Sequence, residues 1–117
     1  LRLLQRPGFY EDLERKTARL LDPIRDLIKR KNLNACIQQV GSMFTLFFGK
    51  KQVRNLQEAL AIDGQLYASL FRTLFDQGIY IPPSAHEAWF ISDAHEDQHL
   101  DKTKDAILAF MEEAYHS

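Results

Sequence analysis

The spacing of apolar residues along the chain predicts three main helices with strands between them. A helical period over residues 10–31 puts six apolar residues on one face: Leu13, Leu20, Leu21, Ile24, Leu27 and Ile28. A second apolar stripe predicts a helix over residues 63–77, and a third predicts a last helix over residues 96–115. Pro23 interrupts the first pattern, so we expect it to kink that helix or to split it in two.

Residues 35–48 follow no helical period. They are rich in β-branched and aromatic residues and are divided by Gly41 and Ser42, which predicts one bent strand or two strands. A run this apolar predicts burial on both faces. Asn55 and Glu58 resemble a capping box that begins a short helix ending at residue 62, and Gly78 is suited to end the second main helix.

Two further strands are predicted at residues 79–81 and 88–92. Between them, Pro82 and Pro83 predict an irregular loop over residues 82–85, because proline cannot donate a backbone hydrogen bond. The resulting order is helix, strand, helix, strand, strand, helix. It predicts an α+β fold in which a small, mostly antiparallel three-stranded sheet is covered by helices.

Composition narrows the class of protein. A length of 117 residues with 45% hydrophobic residues predicts one domain, residues 1–117, with its own core. A net charge of −1 argues against nucleic acid as a partner, and no apolar stretch predicts a membrane span. The single cysteine fits a cytoplasmic protein. Because the chain begins at Leu1 rather than Met, we expect a segment cut from a longer protein.

The sequence H-E-x-x-H at residues 95–99 matches the signature of a zinc protease. That chemistry needs His95 and His99 on one face of a buried helix, with Glu96 beside a metal-bound water. Here the motif lies at a predicted helix start among acidic residues, and no third ligand is evident. We therefore expect an exposed capping segment and no metal site.

The loop after Pro82 and Pro83 brings Ser84, His86 and Glu87 to the start of a strand. These three are too close in sequence to form a catalytic triad, whose members are brought together by the fold. Loops held by a rigid scaffold often carry function. Two interpretations of Glu87 stay open from the residues alone: a functional carboxylate, or a polar residue that solvates the strand edge.

The chain also resembles a known family. Gly-Ser-Met-Phe-Thr at residues 41–45 and Pro-Ser-x-x-Glu-Ala at residues 83–88 are specific when they occur together. With residues 4–8, 40–48, 78–84, 87–90, 92 and 94–95, they make essentially the whole chain similar to the C-terminal domain of the glutamate-1-semialdehyde 2,1-aminomutase family. That family belongs to the fold-type I enzymes that use pyridoxal 5′-phosphate, close to the class III aminotransferases.

The resemblance implies an isomerase that converts (S)-4-amino-5-oxopentanoate to 5-aminolevulinate in tetrapyrrole synthesis. It implies a homodimer whose Schiff-base lysine lies in a large domain earlier in the chain. This chain would then be the C-terminal small domain, with the large domain absent, no catalytic residue of its own, no bound cofactor and no activity alone. Four lysines do not match the family's lysine motif: Lys50, Lys51, Lys102 and Lys104.

The resemblance further implies that Glu87 lies near the amino groups of the substrate. A carboxylate there would favour protonation of the two adjacent nitrogens of the diamine intermediate, and would repel the carboxylate of ordinary amino acids. The resemblance also implies that Gly41 and Ser42 border the site. The alternative is that these two residues only form a backbone kink between two strand pieces. The chain departs from the family at His86, where an aromatic residue is common, and at Glu96, where a Thr or Ser cap is expected.

A second function class stays open beside the aminomutase. The chain could be a non-catalytic α+β interaction module derived from a class III aminotransferase. The sequence encoded upstream of Leu1 discriminates the two, because only the aminomutase requires a large domain with the reactive lysine.

Overall fold

A computed structural model of the chain describes residues 8–92 and 94–115. Residues 4–7, which carry part of the family resemblance, and Asp93, beside the H-E-x-x-H sequence, lie outside the described residues. The elements in chain order are α1 (Phe9–Arg30), β1 (Ala35–Val40), β2 (Met43–Phe48), α2 (Leu56–Leu60), α3 (Gly64–Asp76), β3 (Trp89–Phe90) and α4 (Asp97–Ala114). This arrangement confirms the predicted α+β fold.

The first helix follows its predicted apolar face, with Leu20, Leu21, Ile24 and Leu27 buried. It continues through Pro23, so the expectation that Pro23 could split the helix in two is wrong. Pro23 removes one backbone hydrogen bond, but Leu20 before it and Ile24 after it are each 1% exposed. Packing of both turns on the same core offsets the lost bond.

The three strands form one antiparallel sheet in the order β1-β2-β3. Val40 pairs with Met43, so Gly41 and Ser42 form a two-residue turn, and the predicted run is two strands. The φ angle of Gly41 is 61°, in the left-handed region that such tight hairpins favour. β3 pairs with the other edge of β2, which makes β2 the central strand.

Burial along the hairpin differs from the prediction. Gln39 and Val40 of β1 are exposed, Val40 to 75%, so burial on both faces is wrong for β1. β1 lies at the edge of the sheet, and its outer half is exposed to solvent. In β2, Phe44 and Phe48 are 2% and 1% exposed, as expected of a central strand.

The predicted strand at residues 79–81 is wrong, and the strand predicted at residues 88–92 is reduced to Trp89–Phe90. Ile79 and Ile81 are buried while Tyr80 is 74% exposed, which reproduces the alternation of a strand without its pairing. The Ile79 amide instead donates to the carbonyl of Leu74 at 2.9 Å and so closes the end of α3.

The predicted capping roles of Asn55 and Gly78 are confirmed, and Asp63, predicted only to start a helix, is a third cap. The Asn55 side chain accepts a hydrogen bond from the Glu58 amide at 2.9 Å at the start of α2. The Asp63 side chain accepts from the Leu66 amide at 3.0 Å at the start of α3. Gly78, with a φ of 80°, follows the last residues of α3. The reciprocal half of the capping box differs, because the Glu58 carboxylate accepts from the Arg54 amide.

The core lies between the sheet and the three long helices. Its most buried side chains include Leu27, Leu46, Phe48, Tyr67, Leu70, Leu74, Ile107 and Met111. On the outer surface, α1 and α4 are joined by ion pairs of Arg15 with Asp97 and of Arg19 with Asp101. Within residues 8–92 and 94–115, no helix has the length and apolar content that a membrane crossing needs.

Candidate functional site

The segment between α3 and β3 carries the residues that the sequence singled out, and the core holds it at both ends. At its start, the hydroxyl of Tyr67 in α3 donates a hydrogen bond to the Pro82 carbonyl at 2.6 Å. At its end, Trp89 and Phe90 pair with the central strand. We call residues 82–87 the Glu87 loop. It is a short surface loop on a rigid support.

Glu87 lies on the surface at the end of this loop, in a tight turn. The Ser84 amide donates to Glu87 Oε1 at 3.2 Å, and the Glu87 amide donates to the Ser84 carbonyl at 3.1 Å. The Ser84 hydroxyl in turn accepts from the His86 amide at 3.2 Å. The turn thus orients the Glu87 carboxylate while leaving the side chain exposed. An exposed, oriented carboxylate can bind a cationic group brought to it.

His86 connects the Glu87 loop to α2. Its Nε2 lies 2.9 Å from the carbonyl of Ala59, a hydrogen bond in which the imidazole N–H donates. α2 buries none of its own side chains, and Leu56 and Leu60 are 73% and 68% exposed. His86, one of the two residues by which the chain departs from the family pattern, therefore links two surface segments.

Tyr67 is the most buried polar group next to the loop, at 2% exposed. Burial raises the pKa of its phenol well above the usual range, the Trp89 indole N–H opposes that rise, and the charge of Glu87 adds to it. Tyr67 therefore stays protonated as a hydrogen-bond donor.

Gly41 and Ser42 lie away from Glu87 in the structure. The Ser42 carbonyl accepts from the Ile91 amide at 3.0 Å, so the hairpin turn is opposite the far end of β3. Glu87 is four residues before Ile91 in sequence, which corresponds to roughly 13 Å of extended chain. The chain by itself does not bring these three predicted site residues together.

The H-E-x-x-H sequence has the geometry of a helix start. His95 precedes α4, and its Nδ1 accepts a hydrogen bond from the Ser92 amide at 2.9 Å. Glu96 is the N-cap residue, and its carboxylate accepts from the Gln98 side chain at 3.0 Å. Within the described part of the chain, no three His, Cys, Asp or Glu residues cluster as metal ligands would. One nitrogen of His95 is thus already engaged in a local hydrogen bond.

A cofactor such as pyridoxal phosphate needs a reactive lysine and donors for its phosphate. A cavity of about 280 Å³ lies beside β3 and is lined mainly by apolar side chains, with His95 and His99 at one side. Its lining contains no lysine or arginine. Lys51 donates to Asn32 and Lys104 pairs with Asp105, both on the surface of turns or helices. The residues that line this cavity therefore do not fit such a cofactor by themselves.

Sequence reasoning missed the part that Tyr67 takes in this region. Its position in the apolar stripe of α3 predicted a core residue, which is correct but incomplete. The available signal was the hydroxyl itself, since a buried tyrosine needs a hydrogen-bond partner. The identity of that partner, Pro82, depends on the path of a loop that local patterns do not specify.

Known proteins share both the sequence and the fold of this chain. No protein-family model matches the chain. A glutamate-1-semialdehyde 2,1-aminomutase of Protochlamydia amoebophila is 63% identical over 115 residues, covering 98% of this chain and 27% of that protein. The crystal structure of a glutamate-1-semialdehyde-aminomutase (K286A) from Pseudomonas aeruginosa in complex with PMP matches with a TM-score of 0.78 at 19% identity, over 92% of this chain and 24% of that one.

A third match broadens the class. The structure of a β-phenylalanine aminotransferase from Variovorax paradoxus has a TM-score of 0.72 at 25% identity, again over 92% of this chain and 24% of that one. The fold is thus that of the small domain of aminotransferase-like enzymes that depend on pyridoxal phosphate. By sequence, the chain belongs to the glutamate-1-semialdehyde 2,1-aminomutase family. It spans about a quarter of the length of the relatives it matches.

Proposed function

We propose that this chain is the C-terminal small domain of an aminomutase that converts (S)-4-amino-5-oxopentanoate to 5-aminolevulinate. The observation that carries the proposal is the match of 63% identity over 98% of the chain to a protein named for that reaction. A large domain, absent here, would supply the reactive lysine and the phosphate-binding groups. Pyridoxal phosphate, bound there, would stabilise negative charge on the reacting carbon.

The contribution of this domain would be the Glu87 carboxylate. Its exposed turn presents one negative charge to whatever surface lies against the loop. A carboxylate next to two adjacent amines favours their protonated forms and holds them by charge-assisted hydrogen bonds. Glu87 would therefore orient the amino groups of the substrate, while the groups that transfer protons would lie in the large domain. Gly41 and Ser42 would border the site only if the large domain or a second subunit bridges the distance to Glu87.

The remaining partners follow from the same proposal. We expect the complete enzyme to be a cytoplasmic homodimer, with its own large domain as the first partner of this chain. Three apolar residues, Leu60, Phe75 and Phe90, are 68%, 52% and 69% exposed to solvent. Large exposed apolar patches often mark contact surfaces. Their exposure is compatible with contact surfaces in a larger enzyme.

Comparison of the complete protein with the isolated chain tests this proposal. The full-length enzyme should form 5-aminolevulinate from (S)-4-amino-5-oxopentanoate, and the 117-residue chain should form none. After incubation with pyridoxal phosphate and dialysis, the isolated chain should keep no specific absorbance of a bound Schiff base. A full-length protein without this activity would contradict the proposal and would favour a non-catalytic interaction module.

A second result bears on the isolated chain alone. A stoichiometric adduct of pyridoxal phosphate, trapped by borohydride at one lysine, would show that the chain carries its own cofactor site. That result would contradict the assignment of the reactive lysine to a separate large domain.

A further inference from the structure

The Glu87 loop has one hydrogen bond that originates deep in the core, from Tyr67 to Pro82. We propose that Tyr67 is a positioning residue that fixes the Glu87 loop, and thereby the Glu87 carboxylate, for the aminomutase reaction. This inference rests on the proposed function for its catalytic part. It assigns to a core residue of α3 a role that acts through the loop and involves no contact with substrate.

The rigidity of Tyr67 comes from its surroundings. It lies in the first turn of α3, is 2% exposed, and its ring packs against Phe48 of the central strand with centroids 6.5 Å apart. A side chain held in a close-packed core has one rotamer available to it. The hydroxyl therefore has a fixed position, and the 2.6 Å hydrogen bond transfers that position to Pro82.

The path from Pro82 to Glu87 is short and has little freedom. Pro82 and Pro83 each have a φ angle fixed by the ring. Ser84 and Glu87 then exchange two hydrogen bonds, so the turn moves as one unit. An anchor at the Pro82 carbonyl consequently restrains the carboxylate at the other end of the loop. The bond of His86 to Ala59 cannot replace this anchor, because it joins two exposed segments.

The far end of the loop is fixed by packing. Trp89, two residues after Glu87, is 6% exposed, and its ring centroid lies 5.0 Å from that of Phe44 in the central strand. The near end depends on the Tyr67 hydroxyl. Its removal would leave the Pro82 carbonyl without its donor at a loop boundary, which is costly.

Tyr115, which is partly buried against the same core, provides a control. Its hydroxyl donates to the Asn34 carbonyl at 3.0 Å, and its ring centroid lies 6.5 Å from that of Phe48, the same distance as for Tyr67. Tyr67→Phe and Tyr115→Phe each delete one hydroxyl that donates to a backbone carbonyl. Only the first deletion affects the Glu87 loop, so a general loss of stability would appear in both variants.

Amide hydrogen exchange of the 117-residue chain, measured by NMR, tests the positioning role without any activity. Tyr67→Phe should accelerate exchange of the Ser84 and Glu87 amides about fivefold, the factor that one hydrogen bond of typical net strength provides. Tyr115→Phe should leave both amides unchanged. Equal exchange at these amides in the two variants would overturn the proposal.

The catalytic part is tested in the full-length enzyme. Tyr67→Phe should lower kcat about fivefold, whereas Tyr115→Phe should not. In a Glu87→Gln background, Tyr67→Phe should cause no further loss, because the loop would have no charge left to position. A loss that adds fully to that of Glu87→Gln would overturn the proposal. So would normal kcat in Tyr67→Phe when Glu87→Gln alone is impaired, an outcome that leaves the proposed function standing. An unaltered enzyme without aminomutase activity would instead overturn the proposed function.

Discussion

Ser84 and Glu87 are joined by two hydrogen bonds, one from the Ser84 amide to Glu87 Oε1 at 3.2 Å and one from the Glu87 amide to the Ser84 carbonyl at 3.1 Å. The turn engages Oε1, and within the described residues Oε2 of Glu87 has no hydrogen-bond partner. The carboxylate is thus oriented by its own loop and still able to accept from another group. This property distinguishes Glu87 from acidic residues such as Asp101 and Glu58, which form ion pairs on helix surfaces.

Gly49 is predicted to tolerate substitution less than Gly78, another glycine in the left-handed region. Both have a positive φ, 88° and 80°, so an alanine at either position costs about 1–2 kcal/mol in strain. A Cβ at Gly49 would also lie 2.8 Å from the backbone nitrogen of Asp63, which donates to the Phe48 carbonyl. At Gly78 a Cβ would meet open space.

Urea unfolding of Gly49→Ala and Gly78→Ala measures the difference. We expect the free energy of unfolding to fall by about 1–2 kcal/mol for Gly78→Ala and by about 2–4 kcal/mol for Gly49→Ala. Equal losses would mean that the close approach of Gly49 to Asp63 has no energetic weight.

The pair of Arg19 and Asp101 should make the contact between α1 and α4 sensitive to acid. Arg19 binds both carboxylate oxygens of Asp101, at 2.8 and 2.7 Å, and this hydrogen bonding lowers the pKa of Asp101 below its ordinary value of 3.8. A carboxyl group whose pKa is lower in the folded chain stabilises the fold at pH values above its pKa in the unfolded chain. This stability is lost as the pH falls through the pKa of the folded chain. The loss therefore occurs below about pH 3.8.

Thermal melting of Asp101→Asn across pH 2–7 checks this sign. The variant should melt slightly below the unaltered chain at pH 7, should lose less stability in acid, and should show a smaller difference in high salt. Asp26→Asn, which removes a local pair with Arg30 inside α1, is the control. A gap in melting temperature that widens in acid would contradict the assignment.

Zinc is expected to bind weakly, if at all, to the H-E-x-x-H sequence. His95 already accepts from the Ser92 amide, and among the described residues no buried partner orients His99 as metal-binding histidines require. Titration calorimetry of the 117-residue chain should show no submicromolar site. A submicromolar site that His99→Ala abolishes would refute this expectation.

The features that local sequence predicted correctly are those whose physical cause is also local. Asn55 caps α2 through a bond to the residue three positions on, and Gly78 ends α3 by its own backbone freedom. Failures arise where distant packing decides. Ile79 and Ile81 alternate with Tyr80 as a strand would, yet no neighbouring strand pairs with them in the described structure.

The candidate site shows the same division. The prolines and the Ser84 turn make the Glu87 loop recognisable, because the residues that form it are adjacent in sequence. Its anchor, from Tyr67 to Pro82, joins residues 15 apart and depends on how α3 packs on the sheet. The separation of Gly41 and Ser42 from Glu87 likewise follows from the register of β3, which neither hairpin residue determines.

Glu87→Gln in the full-length enzyme, with kcat and the melting temperature measured side by side, tests most directly the claim that this domain contributes one carboxylate to an aminomutase. Gln keeps an acceptor for the Ser84 amide and loses only the charge. We expect kcat to fall about 10- to 150-fold, the equivalent of one charge-assisted hydrogen bond, with little change in melting temperature. Glu96→Gln, an exposed helix cap without a cap bond, should leave kcat unchanged. Near-normal kcat in Glu87→Gln together with a large drop in melting temperature would contradict the account, because Glu87 would then be structural.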